Sequence, residues 1–407
     1  MTRSVVQSLC FFIVACGLLL GAAVPSIGQD ARRDPLEARV SELFENRCAR
    51  AGCHAGPVAQ QGMDLSRGRF YASTVDEPSE ERPELKRVHP GQPEISYLVM
   101  KLRGAAGIVG TQMPLIGEKL TEEEIGLIVD WIAGIDEVDQ SRKANPQPDR
   151  VYPFDGWRIV NLPTTRTLDA RSFLFLISHR FNPTLRDGYD AFFGLDGSGI
   201  ILLELGYAVS DELLLTLGRS NASDNVELQA RYLIKRQAVE GNWPVDVSLH
   251  TTLNWVSEDP PGVKGRFRDD AVKFTAQLTL ARELPHDIGL AVVPGILFNA
   301  AEKIEGEDPV VTIGLGGRWR FSRNLSLLAE WVPIVGGYVR TTTFGNDIRF
   351  DSWGGGLEIT TGGHVFQIVL SNTVGLATDQ YLRGGDLDIG KPDVRLGFNI
   401  SRVLNFF

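Results

Sequence analysis

The sequence predicts a two-domain protein: a small all-α domain followed by an antiparallel β-barrel of about twelve strands that crosses a membrane. Three observations carry this. A length of 407 residues exceeds one ordinary domain. The apolar period changes from about 3.6 to 2 after a polar, proline-rich stretch at 136–155. Glycine, at 43 residues, exceeds its usual share of about 7% and gathers in the second half of the chain.

Residues 1–28 read as an export signal. Arg3 supplies the positive end, an apolar run follows over 10–23, and Ser26-Ile27-Gly28 offers small residues before Gln29. Ile13-Val14-Ala15-Cys16 also has the pattern of a lipidation box, but the sequence stays apolar from Gly17 to Val24, where a lipoprotein turns polar. A net charge of −10 and the absence of any basic run exclude a nucleic-acid partner.

The first domain spans 30–136. Its opening helix, over 35–47, sets Val40, Leu43 and Phe44 at helical spacing against Glu37, Glu42 and Glu45. Its closing helix starts at a capping box, Thr121 with Glu124, and carries Ile125, Ile128, Val129 and Ile132 on one face. Trp131 is expected against the first helix or a cofactor. The middle is irregular and rich in Pro and Gly.

Between the helices stands Cys48-Ala49-Arg50-Ala51-Gly52-Cys53-His54. Two thiols followed by an imidazole are what covalent haem attachment requires: each thiol adds to a porphyrin vinyl group, and the histidine is then held beneath the iron. The usual signature is C-x-x-C-H; here four residues separate the thiols. Of four cysteines, Cys10 and Cys16 leave with a cleaved signal, so the mature chain keeps only this pair. A disulfide between them is the alternative, and a zinc site lacks further ligands at matching spacing.

With Pro90-Gly91, Ser96-Tyr97-Leu98, Lys101-Leu102 and Met113-Pro114, the motif resembles the monohaem cytochrome c family over about 105 residues. The resemblance implies one haem c attached through Cys48 and Cys53, with His54 as proximal and Met113 as distal ligand. His/Met ligation raises the redox potential. Met100, in a helical run, and His89, in a loop, are the rival distal ligands.

Residues 137–155 read as an extended tether, and 156–407 as the barrel domain. Successive segments alternate. One sets Val226, Leu228, Ala230, Tyr232 and Ile234 against Glu227, Gln229, Arg231 and Lys235; the next sets Val245, Val247, Leu249 and Leu253 against Asp246, Ser248, His250 and Thr252. Tight turns at 210–211, 285–287, 322–324 and 362–363 alternate with long loops near 183–198, 256–269, 334–351 and 375–391. This asymmetry marks outer-membrane barrels and puts the N-terminal domain in the periplasm. The short connection at 221–224 breaks the rule. Aromatic segment ends (Trp157, Tyr207, Trp243, Trp255, Trp319, Trp331 and Trp353) and the terminal Phe407 favour the membrane barrel over a soluble one with an apolar interior, although Phe407 falls on the opposite face from Leu404 and Phe406.

Ile177-Ser178-His179-Arg180-Phe181, 358–367 and 395–402 resemble an uncharacterised family of β-barrel proteins of unknown function. That likeness implies a barrel associated with c-type cytochromes and no established activity.

The inferred lumen face carries Arg180, Glu204, Arg231, Asp246, Lys273, Arg318, Arg320, Glu330 and Glu358. A structural ion-pair network is the expectation; a narrow polar channel is the alternative. Glycines at 314, 316, 317 and 354–356 would let strands bend or loosen the lumen. His179 and His364 fall on the apolar face near strand ends. No catalytic triad, carboxylate pair or metalloprotease motif is present, so an electron-transfer protein is expected rather than an enzyme. It would sit in outer-membrane lipid and exchange single electrons with periplasmic redox partner proteins. The alternatives make the barrel a solute channel with the haem domain as redox or gas sensor, or an anchor alone.

Overall fold

The computed structural model describes residues 35–50, 52–56, 59–144, 152–238, 243–258, 271–300, 309–322, 324–337, 350–361, 363–388, 390 and 393–404. The expected export signal, Cys16 and Phe407 lie outside them.

The N-terminal domain is built on α1 (Pro35–Arg47), α2 (Phe70–Thr74), α3 (Tyr97–Arg103) and α4 (Glu122–Ala133). Val40 and Phe44 of α1 are fully buried with Ile125, Ile128 and Ile132 of α4. Trp131 meets Phe44 edge-on, ring centroids 6.5 Å apart, and Phe70 at 5.5 Å. The capping box forms: Glu124 N donates to Thr121 Oγ1 (3.2 Å), and Thr121 N to Glu124 (2.8 Å). Arg47 at the end of α1 closes on the same Glu124 at 2.7 Å.

The expected tether is partly folded. Its first part contains α5 (Gln140–Ala144), where Arg142 pairs with Glu37 at 2.5 Å and lies over the Tyr71 ring at 3.8 Å. Lys143 reaches Glu77 at 2.7 Å. This stretch is polar because it docks on a charged surface. Residues 145–151 lie outside the described set.

The barrel wall begins at Phe173. Its strands are β1 (Phe173–Phe181), β2 (Gly199–Ala208), β3 (Leu213–Ser220), β4 (Asn225–Lys235), β5 (Asp246–Val256), β6 (Val272–Leu284), β7 (Ile288–Phe298), β8 (Val310–Ser322), β9 (Leu325–Val332, resuming after Pro333 as Ile334–Gly336), β10 (Ser352–Thr361), β11 (His364–Ser371) and β12 (Arg395–Leu404). Each pairs antiparallel with its sequence neighbours, and β1 pairs with β12, Ile177 opposite Ile400. The twelve-stranded sheet is therefore closed and leaves no edge. Proline at 333 lacks the N–H a continuous ladder needs, which is why β9 breaks there.

Along β2, Ile201, Leu203, Leu205 and Tyr207 are exposed while Leu202 and Glu204 are buried. On β4 and β5 the buried side chains are Glu227, Gln229, Arg231, Asp246, Ser248, His250, Thr252 and Asn254. Apolar residues out and charges in is the pattern of a lipid-embedded barrel; a soluble barrel would reverse it. His179 stacks on Phe398 (5.1 Å) and His364 on Phe366 (5.5 Å). They sit opposite Phe398 and Arg402 of β12, about 13 Å apart along the strand at its usual rise, and form no joint site.

The lumen is filled. Residues 154–168, expected to close the linker and open the wall, thread through it and are buried throughout. The wall is cut to fit. A Cβ at Gly314 would lie 2.6 Å from Leu162 and one at Gly354 2.9 Å from Val160, while one at Gly316 would run into Ile159. These glycines make room for the inserted segment rather than loosening the lumen. From the opposite end, residues 372–382 fold inward with α6 (Thr378–Tyr381) and are buried as well.

Candidate functional site

The charges of the lumen wall are spent largely on the inserted segment. Glu204 pairs with Arg158 (2.6 Å) and Arg318 with Asp155 (2.9 Å), which Arg320 also engages. Asp246 accepts from Thr165 Oγ1 (2.7 Å), Arg180 donates to Asn161 Oδ1 (3.1 Å) and Arg231 to the Arg166 carbonyl (3.0 Å). Glu330 accepts the N–H groups of Val160, Asn161 and Leu162 and the Asn161 side-chain amide, at 2.9–3.0 Å. Three successive amides thus cradle a carboxylate, as they would an anion. Lys273 donates to the Asn299 carbonyl (2.9 Å) and Glu358 accepts from Gln367 (2.8 Å). The 372–382 segment is held in the same way: Glu227 accepts from Thr378 N (2.6 Å) and Asn225 donates to Asp379 (2.8 Å).

The second candidate site is a cavity of about 570 Å³ in the N-terminal domain, within the range of ligand pockets. Cys48, Cys53, His54 and Met113 all line it. Helix α1 delivers the first thiol, Cys48 N donating to the Phe44 carbonyl at 2.8 Å. The loop then turns through Gly52 at φ +77°, with Cys53 N bonded to the Arg50 carbonyl (2.9 Å). Met113 is fixed from α3, its N–H donating to the Lys101 carbonyl at 3.0 Å.

The thiols are not joined in a disulfide. Burial pushes Cys48 up to about 12, so the sulfur stays protonated at neutral pH. Burial pushes His54 down to about 4, which keeps its imidazole neutral. Its Nδ1 lies 3.2 Å from the Met63 carbonyl; a proton donated there leaves Nε2 as the ring nitrogen with a lone pair, the arrangement ligating histidines adopt.

The rivals Met100 and His89 are not among the residues lining the cavity, but Met63 is. The sequence reading missed this second thioether: it lies nine residues after His54 in an irregular stretch where no period marks a buried face. Its neighbourhood is held by Arg87, which donates to the carbonyls of Ser73 (2.6 Å) and Gly62 (3.0 Å). The rest of the lining mixes apolar Leu65, Leu98, Leu102 and Ile116 with the cations Arg47, Arg50, Arg87 and Lys101 and the carboxylates Glu80, Glu81 and Glu118; Lys101 pairs with Glu81 (3.0 Å) and Arg87 with Glu80 (3.4 Å).

A family model described as membrane bound beta barrel domain (DUF5777) matches residues 154–404. The chain belongs to that family. No curated protein matches it. Among solved structures it is similar to the COG4313 outer membrane channel from Pseudomonas putida F1, at 15% identity over 59% of this chain and 98% of that one, TM-score 0.34. The NanC porin is 10% identical over 58% and 100% of the two chains, TM-score 0.34. Pseudomonas putida OprB is 9% identical over 51% and 59%, TM-score 0.23.

Proposed function

We propose that this membrane barrel sits in an outer membrane and holds a periplasmic domain carrying one haem c, which exchanges single electrons with periplasmic redox proteins. The observation that carries the reading is the convergence of Cys48, Cys53, His54 and Met113 on one cavity of about 570 Å³. The donor set fits the group. Cys48 and Cys53 would serve covalent attachment, and the neutral His54 imidazole and the Met113 thioether would hold the iron. Apolar walls suit a macrocycle; of the lining cations, Lys101, Arg87 and Arg47 already pair with Glu81, Glu80 and Glu124, and Arg50 and Arg402 also line the cavity, where they suit the carboxylates of that macrocycle.

When bound, the haem supplies a one-electron iron couple. The chain's residues set how it works. Met113, a soft ligand, favours the reduced state, and the Met63 carbonyl orients His54.

The test is the absorption spectrum of full-length protein produced with haem maturation. Met113→Ala should keep covalent haem, lose the thioether-to-iron charge-transfer absorption and lower the midpoint potential; Met63→Ala should change none of these. Colourless protein would overturn the reading.

A second reading makes the barrel a gated solute channel with the haem domain as redox or gas sensor. It is favoured by the segment over 154–168, which fills a charged lumen and is continuous in sequence with the N-terminal domain. Planar-bilayer conductance that ignores the iron redox state would count against it. The third reading, an anchor alone, accords with the filled lumen.

A further inference from the structure

We infer that the end of the last barrel strand is a wall of the thiol–imidazole cavity, and that the long loop between the two cysteines exists to dock there. The cofactor site is then shared between both domains. This rests on the haem reading for the identity of the ligand, but not for the docking itself.

Arg402, Val403 and Leu404 of β12 line the same cavity as Cys48, Cys53, His54 and Met113. The contact is made by the part of the motif that departs from the common spacing. Gly52 approaches Val403 so closely that a Cβ on it would lie 2.5 Å from the Val403 Cβ. Its φ of +77° is one that side chains with a Cβ rarely adopt. Gln60 locks the loop from the other side: its Nε2 donates to the Gly52 carbonyl at 3.0 Å. The same nitrogen sits 2.5 Å from where a Cβ on Gly363, in the turn between β10 and β11, would project. A two-residue loop would be shorter by roughly 7 Å of extended chain. The two extra residues give the loop the reach to rest on the rim formed by the end of β12 and Gly363.

The consequence is electrostatic as well as steric. Arg402 brings a barrel cation to the cavity, where positive charge disfavours the more positive, oxidised iron.

The experiment uses the full chain in detergent micelles, with the photoreactive residue p-benzoylphenylalanine at Leu404. Irradiation and peptide mapping should give cross-links to 48–60 or 113–118. Cross-links confined to the barrel, in protein that keeps a heat-modifiable barrel, would overturn the docking. Independently, Arg402→Glu should lower the midpoint potential and Arg402→Lys should restore it; a potential unmoved by the charge reversal would overturn the shared cavity. Colourless protein that still cross-links would sink the haem reading and leave the docking standing. Haem-loaded protein without the cross-link would do the reverse.

Discussion

Replacing Glu330 by alanine should release the inserted segment while sparing the barrel. The carboxylate is 5% exposed and serves four donors: the backbone amides of 160, 161 and 162 and the Asn161 side chain. A hydrogen bond to a charged group contributes about 1.5–3 kcal/mol, but these share one acceptor and do not add. Removing the carboxylate leaves neutral amide donors buried and unpaired, a cost of about 1–3 kcal/mol for a single donor, so about 3 kcal/mol serves for the group as a unit. At about 1.4 kcal/mol per tenfold, the release equilibrium shifts on the order of a hundredfold. Hydrogen exchange in micelles reads this directly. Amides 159–162 should exchange faster by that factor, while the paired amides of β4 and β5 stay protected. Glu330→Gln, which keeps the shape and loses the charge, should fall between. Unchanged protection at 160–162, or loosening of the whole barrel together, would refute the cradle as what holds the segment.

Two further outcomes follow from the folds of the two domains. Leu205→Arg places a charge on the lipid face, where Leu205 is 53% exposed; near the bilayer midplane this should cost about 2–4 kcal/mol in urea unfolding from lipid vesicles, with Leu205→Phe near neutral. Thr121→Ala removes one arm of the capping box on α4 and should cost about 1 kcal/mol, read as a lower melting point of the helical signal with the barrel's heat-modifiable band unchanged.

The wall of the barrel was legible because alternation is local. Asp246, Ser248, His250, Thr252 and Asn254 announce an inward face whatever they touch, and the closed sheet shows them there. The helix starting at Thr121 was legible for the same reason. What fills the barrel was not. The segment 154–168 has neither period, since its backbone bonds partly to the wall side chain of Glu330 and partly within its own turn, Ile159 N to the Leu162 carbonyl and Thr164 N to the Trp157 carbonyl. Its presence is encoded at distant positions, in Glu330, Arg318 and the glycines at 314, 316 and 354. Read alone, those charges looked like partners for one another and those glycines like hinges. The helix over 140–144 was hidden by composition: Arg142 and Lys143 look like tether residues until Glu37, Tyr71 and Glu77 are seen beneath them.

The filled lumen bears on the choice between an anchor and a channel. The two inserted segments meet at Arg158, whose Nη2 pairs with Glu204 of the wall (2.6 Å) while its Nη1 donates to the Leu376 carbonyl of the 372–382 segment (3.0 Å). The inner segment cannot leave without breaking both, and its departure would strand Glu204 beside Glu227, which lies 3.9 Å from the same guanidinium. Such a loss of a buried counter-charge is strongly unfavourable. A solute path therefore requires two releases coupled through one residue, whereas an anchor requires none. Conductance that appears in Glu330→Ala but not in wild type would mean that the inner segment is the gate. Faster exchange over 159–162 without conductance would mean that 372–382 still seals the barrel, leaving the membrane span as a closed support for the cavity at the rim beside Val403 and Leu404.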